Sequence, residues 1–155
     1  MTTVLVVDDE RLIRWALAQT LSNDFVVHTA TGTDEALGVL EHTSVDAIVT
    51  DPPYPAEFLP AYDRLGRLAA RVLKPGGNLV VMVGQCYLPE ILAKIQREGL
   101  VYRWVLAYLT PSKNTQVFDR RVASTWKPVL WFTKGRGVPG AFVGDVVRPP
   151  SDADV

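Results

Sequence analysis

The chain is poor in the residues that cross-link or bind metals: one cysteine, Cys86, and two histidines in 155 residues. A single thiol excludes an internal disulfide and fits a reducing cytoplasm, the expected location. Cys86 itself reads as a small buried hydrophobe. No Cys/His spacing suits zinc. No apolar run approaches a membrane span. Met1-Thr2-Thr3 leads straight into an apolar strand without a basic region and long apolar core, so no signal peptide is expected. Repeats and heptad seams are missing. So is a glycine-rich loop after a strand: Gly76-Gly77 falls at the end of a helical pattern, and Gly135-Arg136-Gly137 follows the last strand.

What remains is globular in composition, with 48% hydrophobic and 21% charged residues. That length suits one domain with a sizeable core. Net charge is −1 but unevenly spread. Residues 1–51 carry nine acids against Arg11 and Arg14, a balance of −7, and the remainder balances at +6. Two surfaces of opposite character are joined in one chain.

Periodicity orders the elements. Thr3 to Val7 is a continuous β-branched run, read as a central parallel strand. Arg11 to Leu21 repeats apolar residues at helical spacing. Phe25 to Ala30 is a second strand, and Thr31-Gly32-Thr33-Asp34 opens a helix ending near His42. Val45 to Thr50 is a third buried strand, stopped by Pro52-Pro53. The βαβαβ alternation predicts a parallel sheet with right-handed crossovers. Phe58, Tyr62, Leu65, Ala69, Val72 and Leu73 share a helical face that ends at Lys74-Pro75-Gly76-Gly77. Asn78 to Val83 is the fourth strand. A helix beginning near Pro89 runs to Gly99, and Val101 to Leu109 is the fifth strand. Val129 to Thr133 follows without an intervening helix and is expected antiparallel. The predicted fold is a doubly wound α/β/α sandwich of flavodoxin-like or Rossmann-like type, sheet order 2-1-3-4 and then a terminal pair. Residues 1–147 form one domain in this reading, with 1–44 and 45–147 as its two parts and 148–155 a flexible tail. The expected core is Val4, Val6, Ile13, Leu17, Leu37, Leu40, Ile48, Leu65, Val80, Met82, Ile91, Ile95, Leu130 and Phe132.

Asp8 and Asp9 end the first strand and Asp51 ends the third. In a doubly wound sheet these ends are neighbours where strand order reverses, so the carboxylates are expected to converge. Like charges that close need a cation, and hard oxygens suit magnesium. A carboxylate so screened can attack a phosphoryl group. The plainer alternative is that Asp8 and Asp9 cap the following helix.

Residues 1–51 resemble the first half of a response-regulator receiver domain, through Val-Leu-Val-Val-Asp-Asp-Glu, Arg-Leu-Ile-Arg-Trp-Ala-Leu, Asp-Glu-Ala-Leu and Val-Asp-Ala-Ile-Val-Thr-Asp. The resemblance implies magnesium on Asp8, Asp9 and Asp51, Asp51 as phosphoacceptor, and a histidine kinase or other phosphodonor as partner. Val83-Gly84-Gln85 has no hydroxyl where that family needs one, and Lys113 is displaced from the usual lysine. The phosphorelay switch is therefore expected to be impaired.

From Val45 onward the chain resembles amino-group DNA methyltransferases, those making N6-methyladenine or N4-methylcytosine. Asp51-Pro52-Pro53-Tyr54, Arg71-Val72-Leu73-Lys74-Pro75-Gly76-Gly77 and Trp126-Lys127-Pro128-Val129-Leu130-Trp131-Phe132 carry it. The resemblance makes Asp51, Pro52, Pro53 and Tyr54 catalytic: Asp51 and a proline carbonyl hold the amino group, and Tyr54 stacks on a flipped base. Lys113, Arg120, Arg121, Lys127 and Lys134 then become phosphate contacts. That family also needs a glycine-rich loop for S-adenosylmethionine. Here Asp8-Asp9-Glu10 stands in its place and is expected to repel the cofactor's carboxylate.

The leading expectation is thus a chimera that keeps a receiver-like magnesium and phosphoryl site, binds no S-adenosylmethionine and is no enzyme. One alternative is a methyltransferase remnant that binds DNA through its basic half. Another is a recombined or engineered scaffold without evolved activity.

Overall fold

A computed structural model describes residues 2–8, 10–96, 99–110, 115–137, 140 and 142–148. The elements are β1 (Thr2–Val7), α1 (Arg11–Leu21), β2 (Phe25–Ala30), α2 (Thr33–His42) and β3 (Val45–Thr50). A single 3-10 turn (Ala56–Phe58) leads into α3 (Leu59–Val72) and β4 (Leu73–Met82). Then come α4 (Leu88–Ile95), β5 (Leu100–Leu109), β6 (Thr115–Val117), β7 (Val122–Ser124), β8 (Trp126–Lys134) and β9 (Val146–Val147).

The predicted α/β sandwich is what the chain forms. β3 and β4 are parallel, β8 runs antiparallel between β4 and β5, and β9 adds parallel to β5. β1 and β2 form their own parallel ladder. The two ladders meet side by side, β1 against β3. Their seam is held by side chains: the backbone N–H of Thr3 donates to Asp46 Oδ2 at 3.2 Å, and Lys74 Nζ reaches the same oxygen at 2.8 Å. Thr3 and Asp46 are each the second residue of their strands, so β1 and β3 start together and their carboxyl ends share one edge. Lys74 and the N–H of Thr3 hold the Asp46 carboxyl below its usual range, against an opposing effect of burial.

The helix α3 ends just before Lys74-Pro75-Gly76-Gly77, as the sequence suggests, but that segment is already part of β4 and not a connection ahead of it. The ladder skips from Val45↔Leu73 to Ala47↔Asn78, so these residues form a bulge. Gly76 takes φ +80, and a Cβ on Gly77 would come within 2.9 Å of the Asp46 carbonyl oxygen. Glycines are required where backbones approach that closely.

The core lies in residues 45–132. Tyr62, Ala69, Leu73, Leu79, Val81, Val83, Ile91, Ile95, Leu130 and Phe132 are all essentially inaccessible. On β4 the deepest face is Leu79 and Val81, continued by Val83 just past its end, while Val80 and Met82, the expected core pair, are only partly buried. Both faces of that central strand are apolar, so alternation could not choose between them. Ile13 and Leu17 are corrected outright: they are 42% and 44% exposed, and α1 buries no residue. No helix among the described residues is long and apolar enough to cross a membrane.

Candidate active site and nucleic-acid interface

Beyond Thr50 the strand stops, because two successive prolines offer no N–H to a ladder. Asp51-Pro52-Pro53-Tyr54 therefore turns away at the carboxyl end of β3. Asp51 is exposed and Tyr54 half-buried. The Tyr54 hydroxyl donates to Asp51 Oδ1 at 2.6 Å and accepts from Lys127 Nζ at 3.0 Å. The same ammonium lies 4.7 Å from the Tyr54 ring centroid. Lys127 is distant in sequence, yet β8 pairs with β4 and β4 with β3, which brings it across.

Two further residues shape this turn. Tyr62 of α3, 1% exposed, points its hydroxyl at the Pro53 carbonyl, 3.3 Å away. Gly84 lets the Tyr54 side chain come close: a Cβ there would sit 3.1 Å from Tyr54 Cβ. Burial raises the pKa of both phenols above the usual range, and for Tyr54 the hydrogen bond to Asp51 adds to it. Tyr54 is therefore a proton donor throughout the neutral range. The sequence reading missed Tyr62 and Gly84 as site residues. A glycine at a strand's carboxyl end was the available signal for Gly84; Tyr62 read only as one more apolar position on α3.

The β6–β7 hairpin is rooted beside Gly84. Ser124 Oγ lies 2.9 Å from Gln85 Oε1, and Arg120 Nη2 donates to the Cys86 carbonyl at 3.1 Å. Arg121 takes φ +55 in the hairpin turn, a conformation that costs an L-residue roughly 1–2 kcal/mol. Of the basic residues singled out in the sequence, Lys127 meets Tyr54 itself, while Arg120 is tied to the Cys86 carbonyl and Arg121 stays in the hairpin turn. Lys134 is at the other end of β8, where its Nζ donates to the Arg71 carbonyl at 3.1 Å. Lys113 and Asp9 lie outside the described residues.

Asp8 makes local contacts ahead of α1, which has no side-chain cap bond of its own. Asp8 Oδ1 accepts the N–H of Glu10 at 2.7 Å, and its carbonyl accepts from Arg14 Nη1 at 2.6 Å, so it shapes the turn into α1. Among the described residues no three acidic, histidine or cysteine side chains come together as a metal site.

No protein-family model matches the sequence, and no curated protein does. Solved structures do. The M1.HpyAVI–SAM complex matches with TM-score 0.54 and 15% identity, over 95% of this chain and 67% of that one. A methyltransferase from Pyrococcus furiosus matches with TM-score 0.57 and 18% identity, over 86% of this chain and 64% of that one. TTHA0409 from Thermus thermophilus, provisionally assigned as a DNA modification methylase and complexed with S-adenosyl-L-methionine, gives 0.54 and 20%, over 77% and 66%. The chain thus spans about two thirds of these structures' length. At such identities the similarity establishes the fold: it is that of S-adenosylmethionine-dependent methyltransferases.

This overturns the leading expectation. A match over 95% of the chain takes in most of residues 1–44 as well, so the first strands need no receiver ancestry. The response-regulator and phosphorelay reading, with its impaired switch and kinase or phosphodonor partner, finds no support. Magnesium on Asp8, Asp9 and Asp51 finds none either; the Asp51 carboxylate faces a phenol and Asp8 a backbone amide. The expectation of a non-enzyme loses its ground, because the fold is that of methyltransferases. The expectation against S-adenosylmethionine is corrected too, because related folds hold it.

S-adenosylmethionine carries a sulfonium and an ammonium against one carboxylate, a net cation. An acidic edge attracts such a molecule, and carboxylates accept from its ammonium and ribose hydroxyls. Asp8 and Glu10 follow β1, and Glu35, in the first turn of α2 after β2, accepts from the Thr31 N–H at 2.8 Å and from its hydroxyl at 2.7 Å. Gly32 stands there with open space where a Cβ would lie.

Proposed function

We propose that the chain is a methyltransferase module that acts on an exocyclic amino group of a DNA base, with Asp51-Pro52-Pro53-Tyr54 receiving the base. The observation that carries this reading is the 2.6 Å bond from Tyr54 to Asp51. In the free protein the phenol supplies the donor that the Asp51 carboxylate wants; an amino N–H of a base would replace it. The Pro53 carbonyl is already engaged by Tyr62, so we assign the second acceptor to Pro52. Two acceptors drawing on the amino hydrogens pull them from the ring plane and localise the nitrogen lone pair. Asp51 also stands where the proton shed by the alkylated nitrogen can go. Released from Asp51, Tyr54 offers its face to the base, and Lys127 orients the ring. S-adenosylmethionine supplies the methyl group when bound, and Asp8, Glu10 and Glu35 are the candidates to hold it. Residues 1–147 act as one domain in this reading, with Arg120 and Arg121 as phosphate contacts.

The test is methyl transfer from labelled S-adenosylmethionine to mixed-sequence DNA. We expect label on adenine N6 or cytosine N4, lost in Asp51→Ala. Binding of neither cofactor nor DNA by the wild-type chain would sink the proposal.

A further inference from the structure

The β6–β7 hairpin carries an aromatic residue at its tip that the site described above leaves unused. Phe118 is 78% exposed. Single exposed apolar residues are common on protein surfaces and need no explanation. This one differs in how it is held. Val117 pairs with Val122 directly beneath it. The turn is closed by Arg120 N–H to the Val117 carbonyl at 3.2 Å and Arg121 N–H to the Phe118 carbonyl at 3.4 Å. The left-handed Arg121 is part of the same turn. The hairpin is then tied down through Arg120 to Cys86 and Ser124 to Gln85, the residues that follow Gly84, on which Tyr54 rests. The aromatic tip and the base-receiving tyrosine thus rest on the same segment, Gly84 to Cys86. Two arginines adjoin the tip; Asp119, 4.0 Å from Arg120 Nε, offsets part of that charge.

We propose that Phe118 is a wedge for duplex DNA. It enters the base stack beside the nucleotide that Tyr54 and Asp51 receive and fills the gap that base leaves. Arg120 and Arg121 meet the adjoining phosphates. The inference rests on the base-receiving role proposed above. Extruding a base from a duplex breaks its stacking on both neighbours, and an inserted aromatic face restores part of it. A single strand has little stack to restore, so the wedge should matter for paired DNA alone.

That asymmetry is the test. Affinity is measured by fluorescence anisotropy at one fixed salt concentration, on a mixed-sequence duplex and on the same strands unpaired. Phe118→Ala should weaken duplex binding by about tenfold, in keeping with the loss of one stacked aromatic, and single-strand binding by less than about twofold. Phe118→Trp should restore the duplex value. Equal losses on both probes, or no loss on either, would overturn the wedge while leaving the base-receiving reading intact. Failure of the wild-type chain to bind either probe would overturn both. Phe118 is too exposed for its replacement to threaten the fold, so a loss of binding cannot be laid to unfolding.

Discussion

Residues 2–44 and residues 45–134 are built from the same kinds of element but are packed very differently. The later region holds every member of the main core cluster. The earlier region buries Val6, Ala30 and Ala36, all small side chains, and leaves Leu12 and Trp15 of α1 77% and 63% exposed. Its ladder is joined to the larger sheet through Asp46 and its partners rather than through continuous backbone pairing. The lesson is that an intact periodic pattern secures an element without securing its burial. α1 has a clear helical stripe but only two strands to lie on, whereas α3 and α4 pack on each other and on a five-stranded sheet.

The contrast can be broken most directly in the two cores. Phe132→Ala, at a fully buried position, should cost about 3–5 kcal/mol, whereas Leu17→Ala should cost about 0.5 kcal/mol. Urea unfolding of the two variants compares them, and similar losses would refute the difference in packing. Glycines give a second comparison, of opposite sign. A Cβ on Gly66 would meet the Ile95 carbonyl oxygen at 2.6 Å, so Gly66→Ala should destabilise by roughly 1–3 kcal/mol as α3 and α4 are forced apart. Gly38 in α2 has open space around it, and Gly38→Ala should stabilise by about 0.5–1 kcal/mol. Thermal melts would register both. The seam should respond least. The Asp46 carboxyl is depressed by Lys74, so its contribution is present above the unfolded carboxyl pKa and fades as pH falls through the lower folded value. Both partners are more than a third exposed, so Asp46→Asn should cost under about 1 kcal/mol at neutral pH and nothing in strong acid. Amide exchange should show it first in β1 and β2, which we expect to open at lower free energy than β4 and β8.

Most elements could be read from the sequence because strands here are continuous β-branched runs and helices carry regular apolar stripes. Asp51 could be placed as well, since a strand followed by two prolines must end at that carboxylate. What escaped was whatever depended on side chains meeting across strands. Nothing local tells that Lys127 will reach Tyr54, or that Tyr62 will hold the Pro53 carbonyl. The β6–β7 hairpin has three-residue strands, too short for alternation to register. The acidic run after β1 misled for a different reason. Convergence of strand ends was a sound expectation, but Asp8 spends its carboxylate on the amide of Glu10, a use that the sequence pattern shares with metal ligation.

The absence of a side chain at Gly84 sets how deep the Tyr54 ring can seat. Even a methyl group there would press on Tyr54 Cβ and Cγ, 3.1 and 3.2 Å away, and lever the ring outward. The phenol would then swing off both Asp51 and Lys127 together. One missing carbon, two residues past the end of a neighbouring strand, thus calibrates the whole mouth.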